Sequence, residues 1–440
     1  MNNTRREFIK ASALGVAGIA FSAKSYGRII GANERINLAH VGLNSRMGAH
    51  LTASRSFKNI LNHVALCDVD KRTFGETLKK YSDILPSNIK QYEDFRKLLD
   101  NKEVDAVTVA TPDHWHTPMG IMAMQAGKDV YLEKPCSHNP QEGEWLVETQ
   151  KKTGRVLQIG NQQRSAPTSI SIVKQIHDGI IGKAYYAKAI YENNRKSIGI
   201  GKVVNVPEWL NWELYQGPAP RQAFKDNLVH YNWHWFWNYG TGEISNNGLH
   251  EMDFARLALG VDIPESVSSS GGRFAFKDDW EFFDTQLATF NFGDKIINWE
   301  GRSCNGNSAF KGFSGRGTQI FGTEGCAFVD RDGYKVYDPS GKLIKEEKES
   351  AAANQGADTT GISGLDQYHF GNFFDGIRLN KAQNSPALEA HKSTLLCHLG
   401  NMAQKLNKTL TIDTKTGKPH DKEAMKMWAR EYQKEFKPKV

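Results

Sequence analysis

A glycine-containing loop follows the first apolar run of the chain and could bind a pyrophosphate. The run at 36–41 leads into Gly42-Leu43-Asn44-Ser45-Arg46-Met47-Gly48. In a G-x-G-x-x-G turn the glycines allow a tight bend, close approach of the backbone to pyrophosphate and tight packing of the next helix, whose N-terminus faces the anion. Only Gly42 is in register, because Asn44 holds the second glycine position, Met47 holds the third and Gly48 comes one residue late. Asn tolerates the left-handed conformation, so the bend can survive, but an ordinary strand-to-helix turn remains an alternative.

An acidic residue at the end of the second predicted strand favours the dinucleotide interpretation. Strand 63–67 is followed directly by Asp68. A carboxylate at this position accepts hydrogen bonds from the adenosine ribose and disfavours a 2′-phosphate. The sequence therefore predicts NAD rather than NADP, although Lys71 and Arg72 lie close enough to weaken the distinction. The residues expected to contact the cofactor at this end are Gly42, Asn44, Ser45, Arg46, Met47 and Asp68.

The elements that position these residues alternate between short apolar runs and amphipathic stretches. This alternation predicts a doubly wound, mostly parallel Rossmann sheet over residues 35–160. The predicted strands are 36–41, 63–67, 104–110, 130–132 and 156–159, and the predicted helices are 45–57, 71–81, 95–100, 117–126 and 141–153.

Residues 161–440 have a different pattern, which predicts a second, α+β domain with a largely antiparallel open sheet and helices on one face. Strands are predicted at 184–191, 266–274, 285–292, 296–302, 318–321 and 326–329, and helices at 170–178, 246–259, 365–378 and 386–406. Residues 346–362, poor in large apolar side chains, are predicted to form an exposed loop.

Four further motifs carry a family resemblance. They are Ala110-Thr111-Pro112-Asp113-His114-Trp115-His116, Glu133-Lys134-Pro135, Gly160-Asn161-Gln162-Gln163-Arg164 and Gly242-x-x-x-Asn246-x-Gly248-x-His250-x-x-Asp253. In order and spacing they resemble the glucose-fructose oxidoreductase / inositol dehydrogenase (Gfo/Idh/MocA) family, from about residue 35 to the C-terminus. The resemblance implies hydride transfer between nicotinamide and a sugar or cyclitol hydroxyl. It also implies a C-terminal sheet that often mediates oligomers, so we expect a homo-oligomer.

The resemblance also assigns roles to individual residues. It implies that Lys134 is the central catalytic lysine beside the nicotinamide and that His250 is the acid/base across the substrate. Glu133 and the Thr111-Pro112 turn would line the cofactor. Many relatives carry Asp where this chain has Asn246, which can orient a hydroxyl but cannot act as a base, so more of the proton transfer falls to His250 and Lys134.

These residue types suit the oxidation of a secondary alcohol. The hydroxyl proton needs a base while hydride leaves for the nicotinamide. A partly desolvated lysine near a cationic ring should have a lowered pKa, and histidine titrates near neutral pH. Either Lys134 or His250 could hold the hydroxyl.

The remaining motif residues have structural alternatives beside their functional interpretation. His114 and His116 could be metal ligands, but no third ligand has matching local spacing, so we predict a cofactor-loop role and no metal. Asn161 is predicted to contact the cofactor. Asp253 is expected to cap or pair structurally.

A tryptophan-rich connection within the second domain is a candidate sugar platform. Five tryptophans fall in this stretch, namely Trp209, Trp212, Trp233, Trp235 and Trp237. Flat aromatic faces pack against pyranose rings, but the same residues could instead form core or interface packing. The candidate substrate contacts are Gln162, Arg164, His230, His234, Trp235, Asn246 and His250.

Composition excludes several other classes of protein. The 440 residues carry 39% hydrophobic residues, a formal net charge of +7 and five scattered cysteines without a CxxC pair. A disulfide scaffold and a zinc spacing are therefore not indicated. The charge shows no basic stripe, so no nucleic-acid partner is predicted.

The first residues resemble an export signal. Thr4-Arg5-Arg6-Glu7-Phe8-Ile9-Lys10 precedes an apolar run at 11–23 that is too short to span a membrane. The order resembles the twin-arginine class, whose machinery exports folded proteins. We therefore predict that residues 1–34 form a signal and linker, that the protein is periplasmic, and that it has no stable membrane anchor.

Three functions remain open from the sequence. The first is a periplasmic NAD-dependent dehydrogenase that converts a ring hydroxyl of a sugar or glycoside to a keto-sugar. The second is a glycosidase that uses NAD transiently, although the glycosidase branch carries a Gly-Gly-x-x-x-Pro-Thr-His-type segment where this chain has 242–250. The third is a non-catalytic sugar-binding protein.

Overall fold

The first half of the chain forms a six-stranded parallel sheet. The computed structural model describes residues 35–306, 315–349 and 364–440, so the predicted signal lies outside the described residues. The strands run in the order β3-β2-β1-β4-β5-β6, with every neighbouring pair parallel. They are β1 (Ile36–Val41), β2 (Leu61–Cys67), β3 (Lys90–Tyr92), β4 (Ala106–Val109), β5 (Asp129–Leu132) and β6 (Leu157–Ile159). This is the Rossmann strand order, and it confirms the predicted fold of the first domain.

Helices cover both faces of this sheet. They are α1 (Met47–Ser54), α2 (Arg72–Lys80), α3 (Phe95–Leu99), α4 (Asp113–Gln125) and α5 (Pro140–Thr153). Every residue of β4 and β5 is buried, as expected of parallel strands with both faces covered. Helix α5 shows how local sequence sets an element, because the Asn139 side chain caps its first turn and Gly154 ends it in a left-handed conformation.

The second half of the chain forms a nine-stranded sheet in the order β14-β13-β12-β11-β7-β10-β9-β8-β15. Its strands are β7 (Ala184–Glu192), β8 (Ser266–Gly272), β9 (Thr285–Asn291), β10 (Ile296–Arg302), β11 (Arg316–Gly322), β12 (Gly325–Asp330), β13 (Gly333–Tyr337), β14 (Leu343–Lys348) and β15 (Leu410–Thr411). Strands β7 and β10 pair parallel, and the other neighbouring strands in this order pair antiparallel. The predicted largely antiparallel sheet is confirmed.

Helices pack on one face of the second sheet. The remaining helices of the described chain are α6 (Pro167–His177), α7 (Trp212–Gln216), α8 (Gly242–Asn246), α9 (Gly248–Leu259), α10 (Gly364–Leu379), α11 (Ala387–Leu406) and α12 (Lys422–Lys426). Leu249 and Met252 of α9 lie in one buried cluster with Ala189 and Trp299 of the sheet. On the opposite face Leu287 is 49% exposed. The sheet therefore has one buried and one open face.

The structure extends the predicted strands at one edge of this sheet. The stretch 346–362 was expected to be an exposed loop, but Leu343–Lys348 forms strand β14, which pairs with β13. All of its residues except one are exposed, so it lacks the alternating apolar pattern by which a strand is detected. The prediction of a loop is therefore wrong for 346–348.

The end of the chain returns to the first sheet. Phe370 and Phe373 of α10 pack against Ile36, Leu38 and Tyr131. This packing holds α10 on the first sheet. Within the described residues, no helix combines the length and the apolar character that a membrane crossing requires.

Candidate active site

A cavity of about 440 Å³ lies between the two sheets, at the carboxyl ends of the parallel strands. This is where ligands bind in open α/β sheets. The cavity brings together most of the predicted site residues, namely Gly42, Asn44, Ser45, Arg46, Asp68, Thr111, Pro112, His116, Glu133, Lys134, Gln162, His230, His234, Asn246 and His250. Five others lie outside its lining, namely Met47, His114, Asn161, Arg164 and Trp235.

The loop after β1 has the geometry of a pyrophosphate cradle at its first glycine. Gly42 has φ +79°, and a Cβ at this position would lie 2.7 Å from the carbonyl oxygen of Ala110. Ser45, rather than the expected Asn44, has a positive φ, of 44°, and supplies the left-handed residue of the bend. Met47, the first residue of α1, is fully buried in the core, so its side chain does not reach the cavity. The late Gly48 packs closely instead, with the Tyr81 hydroxyl donating to its carbonyl over 3.0 Å.

Asp68 lies at the predicted ribose position. Its carboxylate accepts hydrogen bonds from the backbone N–H of Leu43 (2.6 Å) and of Asp70 (2.9 Å). Burial raises the pKa of Asp68, and these two N–H groups oppose the rise. The carboxylate therefore joins the Gly42 loop to the end of β2 and faces the same cavity.

The loop after β4 and the start of α4 form the next part of the wall. His116 contacts two carbonyl oxygens, that of Pro135 through Nδ1 (2.7 Å) and that of Thr111 through Nε2 (2.8 Å). It therefore ties the Thr111-Pro112 turn to the segment that carries Lys134. His114 is fully buried behind this wall, with Nε2 2.8 Å from the carbonyl oxygen of Tyr215.

Glu133 is the centre of a buried polar network. Its Oε1 accepts from Arg46 Nε (2.7 Å), His50 Nε2 (2.8 Å) and Gln162 Nε2 (3.1 Å). Burial alone would raise the pKa of Glu133, but Arg46 and His50 hold it well below the usual range. Arg46 also pairs with Asp366 of α10. The network fixes Arg46 in the part of the cavity that the Gly42 loop and Asp68 line, which we call the cofactor half.

Lys134 and Asn246 meet in the part of the cavity that they line together with His250, which we call the substrate half. The Lys134 ammonium donates to the Asn246 backbone oxygen over 2.6 Å and lies 3.4 Å from the side-chain Oδ1. Burial lowers the pKa of Lys134, and the carboxylates of Asp113 and Glu133 oppose this. Asp113, at the start of α4, accepts from the Thr241 hydroxyl over 2.5 Å. Its own pKa is raised by burial, with His116 and Lys134 acting in the opposite direction.

His250, in the first turn of α9, lines the same cavity. Burial lowers its pKa well below 6.5, and the positive charges of Arg331 and Lys134 add to this effect. A neutral imidazole can accept a proton. The cavity therefore holds two nitrogen bases near each other, both with lowered pKa values.

The predicted substrate contacts divide into two groups. Gln162 and His230 line the cavity, and His230 Nε2 lies 2.8 Å from Asp70. Arg164 is instead bound to Asp253 through two hydrogen bonds of 2.8 and 2.7 Å, which confirms the expected structural pairing of Asp253. Trp235 stacks on Trp280 at 3.9 Å between ring centroids.

Among the five tryptophans of the connection, Trp233 alone lines the cavity in the described structure. Trp212 packs in a core cluster with Tyr215. The guanidinium of Arg72 lies 3.4 Å from the ring centre of Trp209, and Trp237 packs on Phe282. Most of this segment is therefore packing rather than an open sugar platform.

Several lining residues were not singled out from the sequence. They are Asp113, Gln163, Arg195, Tyr231, Arg316 and Arg331. Asp113 and Gln163 fall inside quoted motifs and could have been found there. The arginines follow or begin strands far apart in the chain and carry no local signal.

Orphaned polar atoms show that the cavity suits a polar cofactor. Thr111 Oγ1, the Tyr215 hydroxyl and both amide atoms of Gln163 are buried without a hydrogen-bond partner among the described residues. These groups line the cavity together with the Gly42 cradle and Asp68. Buried polar groups normally find partners, so the site fits a dinucleotide with its amide, ribose and phosphate groups. Asn161 is also buried with an unpartnered amide, but it lies behind the lining.

Curated relatives include proteins named as glycosidases and one named as a dehydrogenase. A glycosyl hydrolase family 109 protein from Parabacteroides distasonis is 26% identical, over 92% of this chain and 94% of its own length. An α-N-acetylgalactosaminidase from Tannerella forsythia is 25% identical, over 56% of this chain and 58% of its own length. The NAD⁺-dependent scyllo-inositol 2-dehydrogenase of Bacillus subtilis is 28% identical, over 41% of this chain and 42% of its own.

Solved structures share the fold. The WlbA dehydrogenase from Bordetella pertussis, in complex with NADH and UDP-GlcNAcA, superposes with a TM-score of 0.64 at 16% identity, covering 86% of this chain and 99% of that one. An oxidoreductase domain protein from Kribbella flavida gives 0.66 at 16% identity, covering 86% and 100%.

Family models match both halves of the chain. The model for the oxidoreductase family with an NAD-binding Rossmann fold matches residues 36–161, and the model for its C-terminal alpha/beta domain matches residues 191–321. Together they cover more than half of the sequence. The chain therefore belongs to the Gfo/Idh/MocA oxidoreductase family, and its cofactor is NAD.

Proposed function

We propose that this protein oxidises, or in reverse reduces, a ring hydroxyl of a sugar or glycoside by NAD-dependent hydride transfer, giving a keto-sugar. One observation carries the proposal. Lys134, held by Asn246, and His250 line one cavity with the Gly42 loop and Asp68. A proton acceptor and the cofactor-binding loop therefore face the same space.

The chain's own residues supply the acid-base part of this reaction. Bound NAD supplies the acceptor for the hydride. Burial lowers the pKa values of both Lys134 and His250. The Lys134 amine therefore becomes neutral at a lower pH than a solvated lysine does, and the His250 imidazole is already neutral at pH 7, so each can act as a base. The Asn246 amide can orient a hydroxyl beside Lys134 but cannot take its proton. The buried Glu133 network fixes Arg46 and Gln162 at the boundary between cofactor and substrate.

The experiment combines cofactor detection with a substitution. Native mass spectrometry of the purified full chain should detect bound NAD(H), and a sugar panel should show NADH or keto-sugar formation. Lys134→Met should reduce turnover by at least about a hundredfold, in the range of lost general acid-base catalysis. Lys174→Met is the matched control, because this lysine is exposed on α6 and pairs only with Asp178 in the described structure.

Two outcomes would contradict the proposal. Unchanged turnover of Lys134→Met would remove the assignment of the lysine. A parent protein that binds sugars and NAD but transfers no hydride would support the third function, a non-catalytic binding protein.

A second candidate is a glycosidase that uses NAD transiently. The family 109 glycosyl hydrolase that matches 92% of this chain favours it. In such a reaction oxidation acidifies the neighbouring C–H, the glycoside is eliminated, water adds and the hydride returns. Release of the aglycone from a nitrophenyl glycoside with no net NADH identifies this reaction, whereas accumulation of NADH or keto-sugar identifies the dehydrogenase.

We also propose export to the periplasm by the twin-arginine route and assembly into a homo-oligomer. The Arg5-Arg6 pair with its apolar run supports export. The open face of the second sheet, with Leu287 and Tyr185 exposed, supports assembly. Cell fractionation of the full chain against Arg5→Lys/Arg6→Lys tests export, and light scattering of the purified protein tests assembly.

A further inference from the structure

Three arginines form one wall of the cavity at the substrate half. Arg195 follows β7, Arg316 begins β11 and Arg331 lies in the turn between β12 and β13. All three line the cavity that holds Lys134 and His250. Three separate parts of the second sheet therefore each place one guanidinium group in the lining of the same cavity.

Buried carboxylates hold two of these arginines from behind the wall. Arg195 donates to Glu243 through Nε over 2.5 Å and to the Tyr231 hydroxyl over 2.8 Å. Arg316 pairs with Glu251, with Nε and Nη2 at 2.9 and 2.8 Å from the same oxygen. Glu243 and Glu251 are 4% and 1% exposed and do not line the cavity. These two carboxylates therefore hold Arg195 and Arg316 from behind the wall.

Positive charge from Arg316 acts on Arg331. Burial and the charge of Arg316 lower the pKa of Arg331 to about 9, and the attraction of Glu251 and Asp366 only partly opposes them. Arg331 also exerts the largest charge effect on His250. A negative group placed against this wall would lower the energy of both guanidinium groups.

We propose that the substrate carries an anionic substituent, which Arg316 and Arg331 bind while Lys134 and His250 act on a ring hydroxyl. The inference rests on the proposed function, since it names the substrate class of the same site. Guanidinium groups match carboxylate and phosphate in bidentate geometry, which a single neutral hydroxyl does not use. The substrate class is therefore acidic sugars, either uronic acids or sugar phosphates.

The first measurement is binding, which does not require turnover. The full-length protein loaded with NAD is titrated with glucuronic, galacturonic and mannuronic acid, each against its neutral hexose, and with each hexose 6-phosphate. Thermal stabilisation and tryptophan fluorescence give the affinities. We expect at least one acidic sugar to bind about tenfold or more tightly than its neutral parent, as for hydrogen bonds to charged groups. Preference for the uronic acid or for the phosphate then identifies the anion.

A substitution links the preference to the wall. Arg331→Gln should reduce the acid-to-neutral affinity ratio about tenfold or more, and Arg331→Lys should restore part of it, because lysine keeps the charge without the planar fork. Arg55→Gln is the matched control, since it removes the same charge from a surface pair with Asp83 that does not line the cavity.

Three results would overturn the inference. They are equal binding of every acidic sugar and its neutral parent, an Arg331→Gln protein that keeps the full ratio, and an Arg331→Gln protein that loses NAD affinity with no change in the ratio. Preferential binding of an acidic sugar without any hydride transfer would instead support the anion site and count against the proposed oxidoreductase activity.

Discussion

Two opposing effects set the pKa of Lys134 and so its strength as a base. Burial favours its neutral amine, while Asp113 and Glu133 favour the ammonium. The two carboxylates differ in what else they contact. Glu133 is occupied by Arg46 and His50, whereas Asp113 accepts one hydrogen bond, from Thr241, in the described structure. Asp113 is therefore the group whose removal should change the titration of Lys134 most cleanly.

Asp113→Asn should shift the pH dependence of oxidation to lower pH. The unaltered Asp113 charge raises the pKa of Lys134, so its loss lowers that pKa further below 10.5. Activity that needs the neutral amine rises as pH increases through this pKa, so the rising limb of kcat/KM moves down the pH scale. The asparagine oxygen can still accept from Thr241, which preserves the local geometry. Asp83→Asn, at an exposed surface pair, serves as the control, and a limb that stays in place would exclude Asp113 as the positioning charge.

The sequence predicted some contacts of single residues and could not predict others. Lys134, Asn246 and His250 do meet in one cavity, as the family resemblance of their motifs implied. The pairing of Arg46 with Asp366 joins residues 320 positions apart, and no local sequence pattern predicts such a contact. The same applies to Arg331, which reaches the site only because β12 and β13 turn there.

At the scale of elements, the strand-to-helix turn after β1 depends on one glycine. Gly42→Ala places a Cβ 2.7 Å from the Ala110 carbonyl oxygen at a φ that L-residues rarely adopt. The turn must shift, so NAD affinity should fall about tenfold or more and thermal stability should fall with it. Isothermal titration with NAD and a melting curve measure the two effects.

Gly75→Ala is the matched control for that substitution. Gly75 lies in the exposed interior of α2, and a Cβ there meets no atom within 4 Å. This variant should be more stable by about 0.5–1 kcal/mol, with NAD affinity unchanged. Normal NAD binding by Gly42→Ala would contradict the assignment of this loop to the pyrophosphate.

Another pair of elements closes the adenosine end of the cavity. The segment after β2 and the tryptophan-rich connection exchange backbone hydrogen bonds, from Lys71 to Trp209 and from Asn211 to Val69, each 2.9 Å long. His230 also contacts Asp70, which lies two residues after Asp68, the carboxylate predicted to bind the ribose. Sequence patterns located both segments but not their contact, because a connection of this length between Trp209 and Trp237 has no periodicity from which to place it. Its tryptophans instead pack this connection against the first domain and against its own core.

At the scale of the whole molecule, the two sheets are joined by buried polar contacts as well as by apolar packing. Arg164, just after β6, forms two hydrogen bonds with Asp253 of α9, and Ser393 of α11 donates to the same carboxylate over 2.5 Å. Both charged side chains are about 5% exposed or less. The contact lies directly behind the cavity, so it also holds α9 and His250 in place.

Arg164→Met should therefore destabilise the protein strongly. The substitution leaves the Asp253 carboxylate buried without its partner, which costs about 3–5 kcal/mol. Melting temperature and urea unfolding measure the loss. The double variant Arg164→Met/Asp253→Leu removes both charges and should recover a large part of it, because no unpaired charge remains. Arg55→Met breaks an exposed pair of the same type and should cost only about 0–1 kcal/mol. If Arg164→Met and Arg55→Met lower stability equally, the buried pair does not hold the two sheets together, and the alignment of His250 with Lys134 depends on apolar packing alone.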